Sequence, residues 1–512
     1  MKQNAGQRNK PATGERHEPD AGQRSKDEAM ILDLTPEARK ELWEGLARTI
    51  EEYIEGVAAL PVDANPSAKD VRAFLATCDF ARPMQPQAAL AFAARGLTKF
   101  QTHTPHPRYY GLFNPAPATM GIVADALVAA FNPQMAAWKH NPFGVEVERH
   151  LIRALGGRFG YEAAKTDGVF CTGGSEANHT ALLTALTNAF PEFGRTGARG
   201  LAGQPVFYVS AESHYSFQKA ARMCGLGSIA VRDIAVDEKL RMSPEALEKA
   251  IAADRRAGHA PFLVVATAGT TNAGAIDPIR AMAAIAAREK MWFHVDAAWG
   301  GAAALVPEMR RHLDGIELGD SITLDAHKWL SVPMGSGIYI TRHADILDRT
   351  FRIAAAYVPP KAEGEAITDP YANSIQGSRR LIGLKLFLSL AVAGWEGYAA
   401  VVRAMTAIGD ELRRQLTSAG WKIVSDTPLP IACFVDARSP HGATREYLDE
   451  IAREVVESGA AWISATRLRG TEPALRACIT NYRTSAEDIR LLVAALEKAR
   501  GKLQGKKIGA GN

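Results

Sequence analysis

The patterned part of the chain opens at Thr35-Pro36, after which Leu42, Trp43, Leu46, Ile50, Tyr53, Ile54 and Val57 recur at helical spacing. That spacing puts the apolar side chains on one stripe of a helix, with Thr35 as N-cap and Pro36 at the first helical position, where its missing N–H costs nothing. Pro61 and Pro66 end this amphipathic run, and a second helical run begins near Ser67. Such a helix pair closes on a core of its own or packs across a partner subunit.

From about Gly144 to Arg342 the pattern changes. Apolar, β-branched runs at 206–209, 262–267, 291–295, 322–324 and 337–340 alternate with helical segments. One of these helices starts at Asp277-Pro278, with the aspartate as its cap, and carries Ile279, Met282, Ala283 and Ile285. Continuous rather than alternating apolar strands imply a sheet covered on both faces, so the expected fold class is α/β with a mostly parallel central sheet. After about Gln376 a long helical stretch leads to a smaller α+β region, with strands at 421–424 and 431–435 and helices at 444–458 and 485–498. The expected division is a helical segment over 31–100, a large α/β domain over 101–375 and a small domain over 376–500. Residues 1–30 and 501–512 are polar and read as disordered tails.

Composition narrows the partners more than the fold. A formal charge of +4 on 512 residues, with no basic cluster interleaved with aromatics, disfavours nucleic acid. No uncharged run is long enough to cross a bilayer and no apolar leader follows Met1, so a cytoplasmic protein without a membrane partner is expected. The five cysteines, Cys78, Cys171, Cys224, Cys433 and Cys478, lack paired spacing for a metal or a disulfide framework. Reduced, mostly buried thiols are the expectation.

Candidate chemistry gathers where strands end. Lys328, in Ser321-Ile-Thr-Leu-Asp-Ala-His-Lys-Trp-Leu330, follows one strand, and Asp296, in Phe293-His-Val-Asp-Ala-Ala-Trp-Gly-Gly301, closes another. A lysine amine forms a Schiff base with an aldehyde cofactor, and a carboxylate keeps a pyridine nitrogen protonated, so the pair suits pyridoxal phosphate (PLP). In open α/β sheets ligands collect at the carboxyl ends of the strands, where both residues fall. Thr172-Gly-Gly-Ser-Glu-Ala-Asn178 stands between a strand and a helix and describes a phosphate cradle, with Gly174 and Ser175 at its centre. His214 follows the strand at 206–210 and offers an imidazole to stack on the cofactor ring. Thr267 closes a further strand and offers a hydroxyl, and His327 stands beside the lysine. Each motif alone has an ordinary structural explanation: a helix N-cap, a strand exit, a serine-capped turn, a solvated loop histidine. It is their combination in one α/β unit that carries the chemistry.

These segments, with His106-Pro-Arg-Tyr-Tyr110 and Leu475-Arg-Ala-Cys-Ile-Thr-Asn-Tyr-Arg-Thr484, resemble the group II PLP-dependent amino-acid decarboxylases, in family order, from about Leu34 to Lys498. The group contains the aromatic-L-amino-acid, glutamate, cysteine-sulfinate and diaminobutyrate decarboxylases. The resemblance implies the fold-type-I aminotransferase architecture, PLP as cofactor, and a homodimer. It implies Lys328 as the cofactor-bearing lysine, Asp296 as the pyridinium partner and His214 as the stacking ring. Gly174 and Ser175 are implied at the phosphate, with Thr267, His327, Asp325 and Ala298 as further cofactor contacts. Tyr371, on the segment Pro359 to Gly377 whose Gly and Pro content suits a lid, is the expected proton donor to Cα. The chain departs from the family in two places: Asp325-Ala-His-Lys328 stands where Asn-Pro-His-Lys is frequent, and Gly111-Leu-Phe-Asn-Pro115 stands where aromatic enzymes carry tyrosines. The expected reaction is α-decarboxylation of an L-amino acid, with an aromatic substrate preferred. A glutamate or diaminobutyrate decarboxylase, a related carbon–carbon lyase and an aldehyde synthase are the alternatives.

Overall fold

A computed structural model describes residues 32–353 and 367–504. The main sheet has seven strands: β1 (Asp167–Cys171), β2 (Pro205–Ser210), β3 (Val231–Ile234), β4 (Ala260–Thr267), β5 (Trp292–Asp296), β6 (Ser321–Asp325) and β7 (Gly337–Thr341). Their spatial order is β1-β7-β6-β5-β4-β2-β3. The strands from β6 across to β3 are mutually parallel, and β7 runs antiparallel to both β6 and β1.

Burial explains why these strands read as continuous apolar runs. Every residue of β2, β5, β6 and β7 is buried. Alternate side chains feed two separate cores, with Val206, Tyr208, Val264 and Ala266 on one face and Phe207, Val209, Leu263 and Val265 on the other. Helix α6 (Gly174–Ala189) covers the second face through Ala177, Ala181, Leu182 and Ala185. The parallel run brings the carboxyl ends of β4, β5 and β6 to one edge, where Thr267 pairs with Asp296 and Asp296 with Thr323.

A second, antiparallel sheet has the order β10-β11-β9-β8, from β8 (Trp421–Ile423), β9 (Ile431–Asp436), β10 (Ser464–Leu468) and β11 (Glu472–Cys478). Before it runs the helix Leu384–Ser418, which buries Leu386, Val402, Met405, Leu412 and Leu416 in the larger core. It is the one helix among the described residues that is long and apolar enough to cross a membrane by length and composition. Its Gly394 has φ 62° and ψ 179°, a break inside the helix that only glycine adopts at little cost.

The N-terminal helices α1 (Pro36–Gly56), α2 (Ala68–Leu75) and α3 (Pro86–Lys99) belong to a compact unit of their own, whereas residues 57–65 belong to the larger unit. Thr35 Oγ1 accepts the Ala38 N–H at 3.3 Å and Ser67 Oγ accepts the Asp70 N–H at 3.1 Å, as the capping pattern predicts. Phe74 stacks on Phe92 with ring centroids 4.3 Å apart. None of the three helices holds a fully buried residue. After these come α4 (Thr119–Phe131) and α5 (Pro142–Phe159).

Some elements differ from the sequence reading. β3 and β10 are half exposed, so neither presents a continuous apolar run, and β11 lies inside a stretch that reads only as a motif. Asp277 does not cap the helix that follows it, which begins at Ile279. Its carboxylate turns inward and accepts the N–H groups of Met242 and Thr267, each at 2.7 Å. Two buried amides from neighbouring segments outcompete one helix terminus.

Candidate active site

Two adjacent strands each end in an aspartate, Asp296 on β5 and Asp325 on β6. Beyond Asp325 the chain turns, and Lys328 curls back so that its Nζ lies 2.9 Å from Asp325 Oδ2. The departure at Asp325 therefore gives the lysine a buried counter-ion. The same carboxylate dictates a glycine opposite it, because a Cβ on Gly174 would stand 2.7 Å from Asp325 Oδ2. Gly174 thus carries a packing constraint in addition to its place at the start of α6, beside the exposed Ser175.

A cavity of about 310 Å³ opens here, lined by residues that include Gly173, Gly174, Ser175, His214, Thr267, Asp296, Ala298, Asp325, His327 and Lys328. His214 Nδ1 accepts the Ser216 N–H at 3.2 Å, so the proton of the neutral ring sits on Nε2. Burial lowers its pKa against the opposing pull of Asp296, which favours that neutral, flat form. His327 Nδ1 likewise accepts the Ser336 N–H at 3.1 Å, and burial lowers its pKa too. Its Nε2 lies 3.8 Å from Asp325 Oδ2. Ala298 ties the two aspartates together: its N–H donates to Asp296 Oδ1 at 3.1 Å and its carbonyl accepts the Asp325 N–H at 2.8 Å.

Thr267 is held from behind. Its backbone N–H is anchored on Asp277, whose carboxyl burial pushes up to about 7, while its hydroxyl is buried with no protein partner. Asp325 Oδ1 and the Trp299 indole nitrogen are further such orphans on residues that line the cavity. Buried polar atoms are rarely left unpaired, so these mark where a polar ligand completes the hydrogen bonding. An amine, a carboxylate across from it, a neutral planar ring, a helix N-terminus and a free hydroxyl around one small cavity fit pyridoxal phosphate.

Tyr371 lies elsewhere in the chain. It occupies a short turn, Pro370–Ala372, where its N–H donates to the Ala136 carbonyl at 3.0 Å, and it is not among the residues lining the cavity. The first part of the expected lid, residues 359–366, falls outside the described residues. Three residues the sequence reading left without a role do belong to the site. Phe113 stacks on Trp299 at 4.5 Å and lies 5.7 Å from Lys328 Nζ. On Phe113 also rests the guanidinium of Arg476, at 5.0 Å, a buried group whose Nε donates to the Thr271 carbonyl and whose Nη2 has no partner. Asn178, buried in α6, donates to Asp296 Oδ2 at 2.8 Å. The signal for Arg476 was a charged residue inside the otherwise apolar stretch 474–479, which is costly unless the charge is used.

Comparison with known proteins gives the family. Residues 82–436 match the family described as the pyridoxal-dependent decarboxylase conserved domain. The aromatic-L-amino-acid decarboxylase of Bacillus atrophaeus is 30% identical over 467 residues, 90% of this chain and 94% of its own length. The human cysteine sulfinic acid decarboxylase is 31% identical over 347 residues, covering 66% of this chain and 69% of its own. Among solved structures, mouse CSAD superposes with a TM-score of 0.85 at 26% identity, over 91% of this chain and 99% of that one. Rice (Oryza sativa) TDC with PLP and tryptamine gives 0.86 at 24% identity, over 92% and 99%, and supports the fold alone. With a cavity fitted to the cofactor and this extent of match, the chain belongs to the pyridoxal-dependent decarboxylases and is a PLP-dependent carboxy-lyase acting on an amino acid.

Proposed function

We propose that the substrate is an aromatic L-amino acid. The carrying observation is the stacked pair Phe113 and Trp299: Trp299 lines the lysine's cavity, and the Phe113 ring lies 5.7 Å from Lys328 Nζ. Aromatic rings gain about 0.5–1.5 kcal/mol from such contacts beyond simple burial. A relative that covers nine-tenths of the chain is an aromatic-L-amino-acid decarboxylase, which supports the same reading.

When bound, PLP supplies a conjugated ring that accepts the electrons released as the carboxylate leaves Cα. The residues have separate duties in this reading. Lys328 would hold the cofactor through its amine, and Asp325, 2.9 Å from Nζ, would hold the ammonium while it is free. Asp296 keeps a proton on the ring nitrogen. His214 presents a neutral face to the ring, and Thr267 donates its spare hydroxyl. A proton must then reach Cα, from Tyr371, which stands outside the cavity lining, or from His214, which is part of it. Tyr371→Phe separates the two, since it keeps the ring but loses the acid, and a slower amine yield with diversion to aldehyde supports Tyr371.

A second reading has its own observation. The unpartnered Nη2 of Arg476 is a buried cationic donor, suited to an acidic side chain such as glutamate or cysteine sulfinate. Carbon dioxide release from purified protein decides between them. Higher kcat/KM for tryptophan, tyrosine, phenylalanine or DOPA supports the aromatic reading, and higher kcat/KM for glutamate, cysteine sulfinate or diaminobutyrate overturns it.

The protein is further proposed to work as a homodimer in the cytoplasm. Helix α4 carries Val123, Leu127 and Phe131, four residues apart and all exposed, a stripe that a second copy would cover. Five unpaired cysteines favour a reducing compartment.

A further inference from the structure

We infer that Asn178 is a positioning residue for Asp296, fixing the plane in which its carboxylate faces the cavity. The inference rests on the reading that Asp296 meets the ring nitrogen of PLP. Asn178 stands one turn into α6, past the glycines of the cradle, so one helix start serves both the anion site and the carboxylate at the far side of the cavity.

The hydrogen bonding around Asn178 admits one orientation of its amide. One Nδ2 hydrogen goes to Asp296 Oδ2 at 2.8 Å and the other to Ser216 Oγ at 2.9 Å. Its Oδ1 accepts the Thr323 hydroxyl at 2.7 Å. Behind it, His294 Nε2 lies 3.4 Å from Asn178 Oδ1, and His294 Nδ1 lies 2.8 Å from Ser321 Oγ, which takes the Trp292 indole N–H at 2.9 Å. Burial keeps His294 neutral, its pKa pushed down to about 4. The directions fixed by the donors are Trp292 to Ser321 and Asn178 to Asp296, with the neutral His294 ring packed between them. The amide dipole so aimed stabilises a negative charge without placing a second charge beside it.

Asp296 is thereby held at both oxygens, by the Ala298 N–H on Oδ1 and by Asn178 on Oδ2. Rotation of the carboxylate breaks both bonds. Asparagine suits the position because one side chain must donate to a carboxylate and a hydroxyl while accepting from another hydroxyl. Alanine would leave Asp296 and Thr323 each short of a partner. Aspartate would keep the shape but set a second carboxylate against the first, so that the pair shares a proton.

The test uses the holoenzyme and four variants: Asn178→Ala, Asn178→Asp, Asp296→Asn and the double variant Asn178→Ala/Asp296→Asn. Each is assayed for kcat and KM, for the absorption band of the bound cofactor, and for the rate of cofactor release. Asn178→Ala and Asn178→Asp are expected to lose about tenfold to hundredfold in kcat, the usual effect of removing an outer partner of a site group, with KM little changed. Their cofactor band should shift as it does in Asp296→Asn. The double variant should be no slower than Asp296→Asn alone, because the amide then has no carboxylate to orient. Losses that multiply in the double variant, or an unshifted band in Asn178→Asp, overturn the inference. Should Asn178→Ala fail to fold, the near-isosteric Asn178→Asp answers the same question through its band and kcat. Near-normal turnover in Asp296→Asn would instead overturn the reading of Asp296 on which this rests.

Discussion

Asp325 is the residue whose meaning changes most between chain and fold. In sequence it is a departure from the family's usual asparagine; in space it is a 2%-exposed carboxylate 2.9 Å from Lys328 Nζ. Removing one partner of a buried ion pair costs about 3–5 kcal/mol, less here because the lysine is partly exposed. Borohydride reduction of the wild-type holoenzyme should trap the cofactor on the peptide containing Lys328, and a label trapped on another lysine would refute the assignment. His294 gives a pH-dependent consequence. Its folded pKa near 4 lies below the ordinary value of 6.5, so the unfolded chain binds the proton first. The stability this residue contributes is complete above pH 6.5 and is lost as the pH falls toward 4, on the order of 3 kcal/mol in all. Urea denaturation of the wild type should show that decline, and His294→Gln should flatten it. Lys328, Asp296 and His214 were legible because each stands in a short motif at a strand end. Asn178 and Arg476 sat in recognisable motifs without a role, since what they touch depends on how α6 meets β5 and how β11 meets the Phe113 loop.

At the level of elements, legibility followed burial. β2, β4, β5, β6 and β7 are covered on both faces and write unbroken apolar runs, whereas β3 and β10 are only partly covered and do not. The reversed direction of β7 has no signature in hydrophobic pattern, yet it determines the approach of two segments. A Cβ on Gly337 would fall 2.4 Å from the Gly173 carbonyl carbon, so the start of β7 presses on the loop that leads into α6. Gly337→Ala should destabilise the fold by about 1–3 kcal/mol and speed cofactor release, because that loop must move. Gly394→Ala makes the contrast. Nothing stands within 4 Å of its would-be Cβ, so its cost, again about 1–3 kcal/mol, comes from the backbone alone and should leave cofactor release unchanged. Thermal melts paired with release rates distinguish the two.

For the molecule as a whole, hydrophobic spacing located the N-terminal helices, but it could not say what their apolar stripes meet. The answer has a thermodynamic side. Pro36–Gly56, Ala68–Leu75 and Pro86–Lys99 contain no fully buried residue, and Trp43 and Leu97 are more than half exposed. If a second copy covers such surface, folding becomes linked to association, and the law of mass action governs the melting temperature. Each tenfold dilution then removes about 1.4 kcal/mol of apparent stability per dimer. Calorimetric scans across a dilution series should show the transition moving down with concentration, and a transition that stays fixed would mean that one chain is stable with these stripes in water. For a cell, the linkage would make abundance itself a determinant of how much of this enzyme is folded.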